Sequence, residues 1–578
     1  MSFIGVDCGT SALKAALVDD GERVVAGASQ AYTPDRPKPS WSEQNPGIWR
    51  AAMFAALAKL KASAPEAWRA VRAIGFSGQM HGLIALGPDD QPLRPAILHN
   101  DGRAHAEAAE LHARHGALER VVGVKPMASF PAAKMLWLQR HEPKLHARIA
   151  CVLAPKDWLR FALTGEKATD MSDAAGAWWL DEAARAWSKP AMAASATSPD
   201  QVPPLLEGAA NAGRLRADVA EELGLSREVV VAAGGGDAAV GAVALGAVRP
   251  GAGFISLGTA SQWVIASDVY RAAPERLVHS FAHALPGRWY QMAAMLNGAG
   301  ALAFAGRLLR AEVAELEAEA AADYRGPADL IFLPYLSGER TPHDDPHARG
   351  VAFGFAEAHT RVDFTRAVME GVAFTLADAR DCLAETADIA DRVGVIGGGA
   401  KSRLWARMIA SACGVEVVRY RGGEAGPAFG AARLARLAAT GEAPEDVCQP
   451  PETLDATAPE PALVDAFASR RERFQALYRA LRPEFAKAAA RGAAKRRRGR
   501  SRRCAGGLSP GSISRSTRRR AIVSRKARVL RPFGRLRLRC SHRRRRPRPP
   551  SGRRLTPRRA RRRKLRPRRA RSRNCATR

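Results

Sequence analysis

The sequence predicts an α/β protein in which one fold occurs twice. Two stretches about 250 residues apart are near-copies: residues 3–17 read FIGVDCGTSALKAAL, and residues 254–265 read FISLGTASQWVI. Each contains an apolar strand, a small-residue turn centred on Gly-Thr and a second apolar strand, and such a repeat indicates a duplicated unit. Strands and helices alternate through the first half of the chain, which is typical of α/β proteins.

The two turns have the composition of phosphate-binding hairpins. Gly9-Thr10-Ser11 and Gly258-Thr259-Ala260 combine glycine with a hydroxyl group, so the backbone can approach a ligand closely. Two such hairpins that face each other across a cleft are the arrangement of the actin-like, ribonuclease-H-like ATPases. An ordinary β-hairpin explains either copy taken alone, but the presence of two copies favours the ATPase fold.

The excess of positive charge belongs to the last part of the chain. The 578 residues include 90 Lys+Arg and 57 Asp+Glu, a balance that suggests a nucleic-acid-binding protein. No acidic residue follows Glu484, and 39 of the basic residues lie from Lys487 onward. The preceding body has 51 basic and 57 acidic residues, and this mildly acidic balance argues against nucleic-acid binding as its function.

Residues 487–578 form an Arg-rich tail that we expect to be disordered. The tail lacks apolar periodicity and cannot bury enough surface to offset its ordering entropy. Three interpretations remain open: an arm that binds nucleic acid or anionic membranes, a basic localisation signal, and translation of a GC-rich frame beyond the natural stop. A selected arm would mix Lys, aromatic residues or a fold motif into the charge. The composition therefore favours the third interpretation, and any binding of nucleic acid is expected to be non-specific.

Cysteine usage and the N-terminus are typical of a cytoplasmic protein. Five cysteines lie in the body without paired spacing, and no CxxC pair or Cys/His cluster suggests zinc. The chain runs directly into a strand that contains Asp7, so we expect neither a secretory leader nor a membrane span.

We predict two domains and a tail, with boundaries at 1–248, 249–486 and 487–578. The turn-forming residues at 249–251 precede the second hairpin directly and mark the first boundary. In the first domain, we expect a strand at 73–76 and a helix with Asn45 as N-cap and Pro46 at its first position.

Two aspartates have the placement that phosphoryl transfer requires. Asp7 lies between an apolar strand and the first Gly-Thr turn, where a carboxylate can hold Mg²⁺ beside phosphate oxygens. Asp237 follows three glycines at the mouth of a helix, where it can accept the proton of a sugar hydroxyl that attacks a γ-phosphate. The alternatives are that Asp7 caps its turn and that Asp237 is an ordinary N-cap.

Three further Gly-rich segments are candidate ligand sites. Residues 396–402, IGGGAKS, lack the spacing of a P-loop or a dinucleotide fold, but Gly398 and Gly399 can receive a nucleotide base and ribose. Residues 78–82, GQMHG, and 100–103, NDGR, place polar side chains beside glycines at strand ends. A tight crossover at 396–402 and a satisfied core histidine at 81 are the alternatives.

Residues 1 to about 486 resemble the FGGY family of carbohydrate kinases. Among its branches, the one that phosphorylates D-xylulose is the most similar. Residues 129–141 fit the first family signature, with Lys134 and Trp137 in place; the second signature fits at 363–370 but departs at Ala352 and Phe355. The other matching segments are IGVDCGTS, WSEQ, GQMHG, NDGR, PKDWLRFALTGE, SDAAG, GGGD, LPYLSGERTPH and IGGGAKS.

The resemblance implies a two-domain actin-like ATPase fold that closes over D-xylulose and ATP. It also implies Mg²⁺-dependent transfer of the γ-phosphate to the sugar 5-hydroxyl, with the first domain binding the sugar, the second binding the nucleotide, and a homodimer. Asp237 then matches the general base, and Asp7 matches the essential carboxylate of the phosphate and metal site. The implied sugar-binding residues are Met80, His81, Asn100, Asp101 and Asp237; the implied nucleotide-binding residues are Gly9, Thr10, Ser11, Gly258, Thr259, Gly398 and Gly399.

Four positions depart from the usual pattern of this branch. Ala238 stands where an Asn can reach the sugar, and the loss of that hydrogen bond weakens sugar binding by about 1 kcal/mol or more. His99 replaces Trp, Cys8 replaces Leu, and Ala260 replaces Ser. A kinase for another ketose or polyol, such as ribulose or glycerol, therefore remains an alternative, as do a catalytically weak sugar-binding protein and, because of the tail, a nucleic-acid-binding protein.

Overall fold

A computed structural model describes residues 1–327, 329–421 and 426–505, with side chains as far as residue 488. The strands are β1 (Ser2–Cys8), β2 (Ala12–Asp19), β3 (Val24–Ala31), β4 (Glu43–Gln44), β5 (Val71–Gly78), β6 (Ile84–Leu86), β7 (Ala96–Ile97), β8 (Cys151–Leu153), β9 (Thr169–Asp170), β10 (Leu180–Asp181), β11 (Ala186–Trp187), β12 (Leu205–Leu206), β13 (Asn211–Arg214), β14 (Val230–Ala232), β15 (Gly235–Gly236), β16 (Gly253–Leu257), β17 (Ser261–Ser267), β18 (Val278–Ala282), β19 (Trp289–Met295), β20 (Ile331–Leu333), β21 (Val351–Phe353), β22 (Arg392–Ile396), β23 (Glu416–Tyr420) and β24 (Thr453–Thr457).

Helices connect these strands and cover the sheets. They are α1 (Pro46–Ser63), α2 (Pro65–Arg69), α3 (His105–His115), α4 (Pro131–His141), α5 (Pro143–His146), α6 (Pro155–Thr164), α7 (Met171–Ala175), α8 (Lys189–Ala194), α9 (Ala217–Leu223), α10 (Asp237–Ala244), α11 (Ala299–Leu309), α12 (Val313–Ala321), α13 (Arg361–Ala384), α14 (Arg403–Cys413), α15 (Pro427–Thr440), α16 (Pro444–Val447) and α17 (Pro461–Ala505).

Two seven-stranded sheets repeat one topology. In the first, the order is β13-β14-β5-β1-β2-β3, and β15 also pairs with β5. In the second, the order is β18-β19-β17-β16-β22-β23-β24. In each sheet a central strand, β1 or β16, pairs with its hairpin partner in antiparallel register and with β5 or β22 in parallel register. The duplicated unit that the sequence repeat predicted is confirmed.

The predicted start of the first long helix is also confirmed. Asn45 is the N-cap of α1, and its side chain accepts a hydrogen bond from the backbone N–H of Gly47 at 2.9 Å. Pro46 takes the first helical position, where its missing N–H leaves no donor unsatisfied. The predicted strand at 73–76 lies inside β5.

Helix α15 packs directly on the first sheet, although in the chain it lies between β23 and β24 of the second sheet. A Cβ added to Gly5 of β1 would lie 1.8 Å from the carbonyl oxygen of Ala428, and one added to Gly75 of β5 would lie 2.0 Å from that of Ala431. Only glycine permits so close an approach of helix and strand backbones. The domain boundary at 248/249 stays a prediction. Helix α15 follows that boundary in the chain but packs on strands that precede it.

Helix α10 packs against α15 equally closely. A Cβ at Gly430 would lie 2.1 Å from the carbonyl oxygen of Val240. Arg433, nearly buried, donates from Nη1 to the carbonyl oxygens of Val243 at 2.9 Å and Ala244 at 3.1 Å, which lie in the last turn of α10. These bonds satisfy carbonyls that the helix end would otherwise leave without partners. The two helices therefore join the two sheets into one unit.

Helix α17 continues beyond the predicted end of the ordered body. We expected residues 488–505 to belong to a disordered tail, but the backbone is helical as far as Ala505. Ala, Lys and Arg all have high helix propensity, so this stretch can continue a helix without an apolar face. The rest of the predicted tail, 506–578, lies outside the described residues.

Within the described residues, no helix has the length and apolar character that a membrane span requires. The five cysteines of the body are all buried, and none of them forms a disulfide. The absence of paired cysteines agrees with the spacing in the sequence.

Removal of the basic tail should leave the stability of the body unchanged. The last described side chain of α17 that is buried is Phe485, which packs in the core of the second sheet. We therefore expect a chain that ends after Ala488 to keep its Tm within error. The truncated chain should also lose any polyanion binding that the full chain shows, because the tail carries the excess charge. Retention on DNA at increasing salt measures this binding.

A deeper truncation provides the contrast. A chain that ends after Arg473 would lose three buried aromatic side chains, Phe474, Tyr478 and Phe485, and should unfold at a clearly lower temperature. A fall in Tm for the Ala488 truncation would show that the tail contributes to the fold.

Candidate active site

A cavity of about 310 Å³ lies where the two hairpins meet. Thr10 of the β1–β2 turn and Ala260 of the β16–β17 turn both line it, together with Asp237 at the start of α10. The size is within the range of small-molecule sites. The other lining residues that matter below are Gln79, Met80, His81, His99, Ala238, Gln262, His279 and Arg340.

Asp237 presents a carboxylate to this cavity. It is the first residue of α10, the N-cap is Gly236, and the helix start has no side-chain capping bond. Sequence alone allowed an N-cap role, but this carboxylate is exposed to the cavity instead. The enclosing protein desolvates it and, together with the negative charge of Asp7, raises its pKa to about 7. A base with this pKa is suited to accept a proton near neutral pH.

Asp7 lies at the end of β1, beside the first turn. Its alternative role as a turn cap is not observed: the turn closes through the N–H of Gly9 and the carbonyl of Ala12 at 3.1 Å. Oδ1 of Asp7 is buried and has no hydrogen-bond partner among the described residues. Burial raises the pKa of Asp7 to about 6, against the opposing effects of the Ser77 hydroxyl and the Lys14 charge. A buried carboxylate oxygen without a donor fits the coordination of a cation.

Gln79 connects the first turn to the wall of the cavity. Its Nε2 donates to the carbonyl oxygen of Gly9 at 3.3 Å, and its Oε1 accepts from the Thr10 hydroxyl at 3.4 Å. The same Oε1 lies 3.1 Å from Nδ1 of His99. His99, where the resembling family branch has Trp, therefore supports the phosphate-type turn through Gln79.

Met80 and His81 both line the cavity, and their role in binding a sugar stays a prediction. His81 has a positive φ of 66°, and its Nδ1 lies 2.7 Å from the carbonyl oxygen of Gly176. Burial lowers the pKa of His81 to about 3, so the ring is neutral. A carbonyl only accepts, so Nδ1 carries the proton and Nε2 is left as an acceptor. Lys134 of the family signature fixes this turn by donating to the carbonyl oxygen of His81 at 2.6 Å.

Asn100 and Asp101 are not among the described residues that line the cavity. Oδ2 of Asp101 accepts from the backbone N–H of Ser42 at 2.6 Å and from Nη2 of Arg103 at 2.7 Å. Although burial opposes it, these donors hold the pKa of Asp101 below its ordinary value. The guanidinium of Arg103 lies 3.6 Å from the ring centre of Trp41. The carboxylate is thus fully engaged within the first domain, and a sugar-binding role for both residues stays a prediction.

The glycines predicted for the nucleotide lie beside the second turn. Gly397 has a φ of 93°, and a Cβ there would lie 2.7 Å from the carbonyl oxygen of Leu257, directly before Gly258. Gly399 approaches the Leu257 side chain closely, whereas Gly398 faces open space. The Gly-rich segment does not open α14 directly: a 3₁₀ turn comes first, and Ser402 caps the helix. The structure thus brings 397–399 and the Gly258 turn together.

A buried ionic cluster lies behind Asp237, and we call it the Lys156 cluster. Nζ of Lys156 lies 2.5 Å from Asp157, 2.9 Å from Asp170 and 3.5 Å from Asp173. Although burial alone would lower it, these carboxylates raise the pKa of Lys156. The cluster consists of Lys156, Asp157, Arg160, Asp170 and Asp173, all buried.

Ser172 links this cluster to the turn before Asp237. Its hydroxyl donates to Oδ2 of Asp170 at 2.5 Å and accepts from the backbone N–H of Gly236 at 3.0 Å. A Cβ at Gly236 would lie 2.6 Å from the Met80 side chain, so the turn is clamped on both sides. The sequence motifs at 155–166 and 172–176 indicated the family but not this positioning role.

Sequence reasoning missed the three polar side chains that the second half contributes to the cavity. They are Gln262 on β17, His279 on β18 and Arg340 in the loop that follows β20. Gln262 and Arg340 lie in segments that we had noted, the second hairpin and LPYLSGERTPH, but no local pattern singled them out. His279 lies in a strand and carried no signal.

Comparison with known proteins agrees with this geometry. The "Xylulose kinase" of Escherichia coli K12 is 42% identical over 486 residues, which cover 84% of this chain and all of that protein. A crystal structure of a "xyloylose kinase" from Brucella ovis has a TM-score of 0.82 and 42% identity, and covers 83% of this chain and 99% of its own. The xylulose kinase structure from Rhodospirillum rubrum has a TM-score of 0.79 and 30% identity, with coverage of 84% and 100%.

Family models describe both halves of the body. The N-terminal domain of the FGGY family of carbohydrate kinases matches residues 2–244, and the C-terminal domain of that family matches residues 253–439. With both halves matched and relatives aligned along their full length, the chain belongs to the FGGY family of carbohydrate kinases.

Proposed function

We propose that this protein is a xylulose kinase, which transfers the γ-phosphate of ATP to the 5-hydroxyl of D-xylulose. The observation that carries the proposal is the position of Asp237, whose carboxylate faces a cavity bounded by the two Gly-Thr hairpins. The relatives that match the body at 42% identity are named xylulose kinases. This supports D-xylulose over other sugars as the substrate.

Asp237 acts as the general base in this reaction. Its carboxylate accepts the proton of the attacking 5-hydroxyl, while Met80 and His81 hold the sugar in the same cavity. The raised pKa of about 7 keeps a useful fraction of the carboxylate ionised at neutral pH and makes it a stronger base than an exposed Asp. Since Ser172 and Met80 fix the turn before it, the carboxylate is positioned before the substrate binds.

The two hairpin turns and the glycines of 397–399 receive the nucleotide. Ser11 and Thr259 are exposed in their turns, so their backbone N–H and hydroxyl groups can meet phosphate oxygens. Gly398 faces open space where a base and ribose can lie. Closure of the two halves about α10 and α15 then brings the phosphates to the sugar.

Asp7 is the residue that would hold Mg²⁺. Its buried Oδ1 without a donor fits such a role, and the described part of the chain contains no group of three or more His, Cys, Asp or Glu residues arranged to hold a metal ion. Mg²⁺ commonly binds through one or two carboxylates together with substrate phosphates. The bound ion would neutralise phosphate charge during transfer.

Three expectations stay predictions. They are the division of sugar and nucleotide binding between 1–248 and 249–486, assembly as a homodimer, and a cytoplasmic location.

A panel of acceptors tests the function directly. Release of ADP, measured in a coupled assay, should give the highest kcat/KM with D-xylulose among D-xylulose, D-ribulose, L-ribulose, glycerol and gluconate. A clear preference for another acceptor would identify a different kinase of the same family. Failure to phosphorylate any of them would favour a sugar-binding protein without kinase activity.

Replacement of the base should nearly abolish the reaction. Asp237→Asn keeps the shape of the side chain but cannot accept a proton, and we expect kcat to fall by about 10²–10⁴-fold with ATP binding nearly unchanged. Asp388→Asn, which alters an exposed aspartate, is the matched control and should retain full activity.

The pH profile provides the second measurement for Asp237. The base must be ionised, so kcat/KM for D-xylulose should fall about tenfold per unit of pH below about 7. Near wild-type turnover by Asp237→Asn, or an acid limb near the ordinary Asp pKa of about 4, would contradict the assignment.

Ala238 should limit the affinity for the sugar. It lines the cavity directly after Asp237, so an amide side chain there would reach a sugar hydroxyl. We expect Ala238→Asn to lower KM for D-xylulose about fivefold, which corresponds to one added hydrogen bond of about 1 kcal/mol. Ala238→Leu has the same branched shape as Asn without hydrogen-bonding groups and should not lower KM. An unchanged KM in the Asn variant would refute this account of position 238.

A further inference from the structure

Arg340 brings a guanidinium to the cavity wall, and the negative charges of Glu339 and Asp344 act on it without forming an ion pair. Its side chain makes no hydrogen bond and no ion pair within 4 Å with any residue that the structure describes. The guanidinium remains charged at all relevant pH values and presents five N–H donors and no acceptor. A half-buried guanidinium whose donors have no acceptor among the described residues is available to a ligand that carries acceptor atoms.

The loop fixes Arg340 firmly in this place. The carboxylate of Glu339 accepts from Nδ2 of Asn297 at 3.0 Å and from the backbone N–H of Arg340 at 2.8 Å, so it is occupied by other donors. The next residue, Thr341, donates from its hydroxyl to the carbonyl oxygen of Leu277 at 3.0 Å. The backbone at Arg340 is therefore attached to neighbouring elements on both sides, which fixes the point from which the side chain reaches the cavity.

His279 is a second unsatisfied group in the same wall. Its ring is 2% exposed, and neither Nδ1 nor Nε2 has a partner among the residues described. The ring stacks on Phe281 with 5.3 Å between centroids. Burial, with Arg340 nearby, lowers the pKa of His279, so the ring is neutral and has one N–H donor. A fully buried donor without a partner is also expected to meet a ligand.

These two groups line the same cavity as Asp237 and His81. Arg340 is close enough to contribute, after burial, to the lowered pKa of both His81 and His279. The pKa of Asp237 responds to burial and to the charge of Asp7. One cavity therefore offers a carboxylate that can accept a proton and a separate set of N–H donors that can bind an acceptor.

The chemistry of the substrate supplies an acceptor for Arg340 and His279. A 2-ketopentose can close its ring only through the 5-hydroxyl, so the form whose 5-hydroxyl is available for phosphorylation is acyclic. Its C2 carbonyl is then free, and a ketone oxygen accepts hydrogen bonds but donates none. It lies toward the opposite end of the carbon chain from the reacting hydroxyl.

We propose that Arg340 donates to the C2 ketone of the sugar, that His279 adds a second N–H, and that this pair selects 2-ketoses over polyols. The inference rests on the proposed function, because it takes the 5-hydroxyl to lie at Asp237. It makes Arg340 a specificity-determining residue that the second half of the chain contributes to the sugar site.

Comparison of a ketose with its reduced form tests the proposal. Xylitol differs from D-xylulose only by reduction of the ketone. Isothermal titration calorimetry should show that Arg340→Met weakens D-xylulose about 10–100-fold, as expected for loss of a charged hydrogen bond, but weakens xylitol less than threefold. D-Ribulose, also a 2-ketose, should lose about as much as D-xylulose. KM for ATP should not change.

Two further variants control for folding and for charge. Arg349→Met alters an arginine of the same loop whose Nη1 donates to the carbonyl oxygens of Pro346 and Ala348 outside the cavity, and it should bind both ligands normally. Arg340→Lys keeps the charge without the planar fork and should fall between wild type and Arg340→Met; it serves as the test if Arg340→Met does not fold.

The outcomes separate this inference from the proposed function. Suppose that the wild type phosphorylates D-xylulose. If Arg340→Met then loses affinity equally for the ketose and the polyol, or for neither, the role of Arg340 alone is overturned. A wild type that phosphorylates none of the acceptors would overturn the proposed function, whatever the Arg340 variants bind.

Discussion

The structure depends on the close contact of helices α10 and α15 with each other and of α15 with the first sheet. The backbones can approach so closely because positions 5, 75 and 430 are glycine; a Cβ at any of them would overlap a carbonyl oxygen. The contact places the β1–β2 hairpin beside α15, a helix of the second half, and the β16–β17 hairpin beside α10, a helix of the first half. The cavity is the space between the two hairpins. The position of Asp237 at the mouth of α10 is thus a consequence of backbone packing some distance from the cavity.

Acidic, cationic and neutral donor groups meet around that cavity. Burial raises the pKa of Asp7 and of Asp237, and the charge of Asp7 adds to the shift of Asp237. Arg340, His81 and His279 line the same cavity as Asp237. In the proposed arrangement, an acyclic sugar with its 5-hydroxyl at Asp237 and its ketone at Arg340 is held in a single orientation before any nucleotide is bound.

Sequence reasoning succeeded where a local pattern determines the structure. The Gly-Thr hairpins, the Asn45 cap and the aspartates after strands all follow from neighbours within a few residues. It could not find Arg340 or His279, since their significance lies in what they do not contact, nor the packing of α15 on β1 and β5, which lie about 350 residues or more earlier in the chain. Composition also misjudged residues 488–505, because a sequence without an apolar face can still continue a helix that has already begun.

The Lys156 cluster shows how the base is held without a direct bond to it. Both oxygens of Asp173 lack hydrogen-bond partners, and burial raises its pKa well above the ordinary value. Lys156 lies within 4 Å of Asp157, Asp170 and Asp173, and these pairings offset part of the penalty for burying the charges. Such clusters contribute little to stability, but this one orients the hydroxyl of Ser172, and Ser172 fixes Gly236. The precision of Asp237 therefore depends on a buried ionic cluster that does not itself line the cavity.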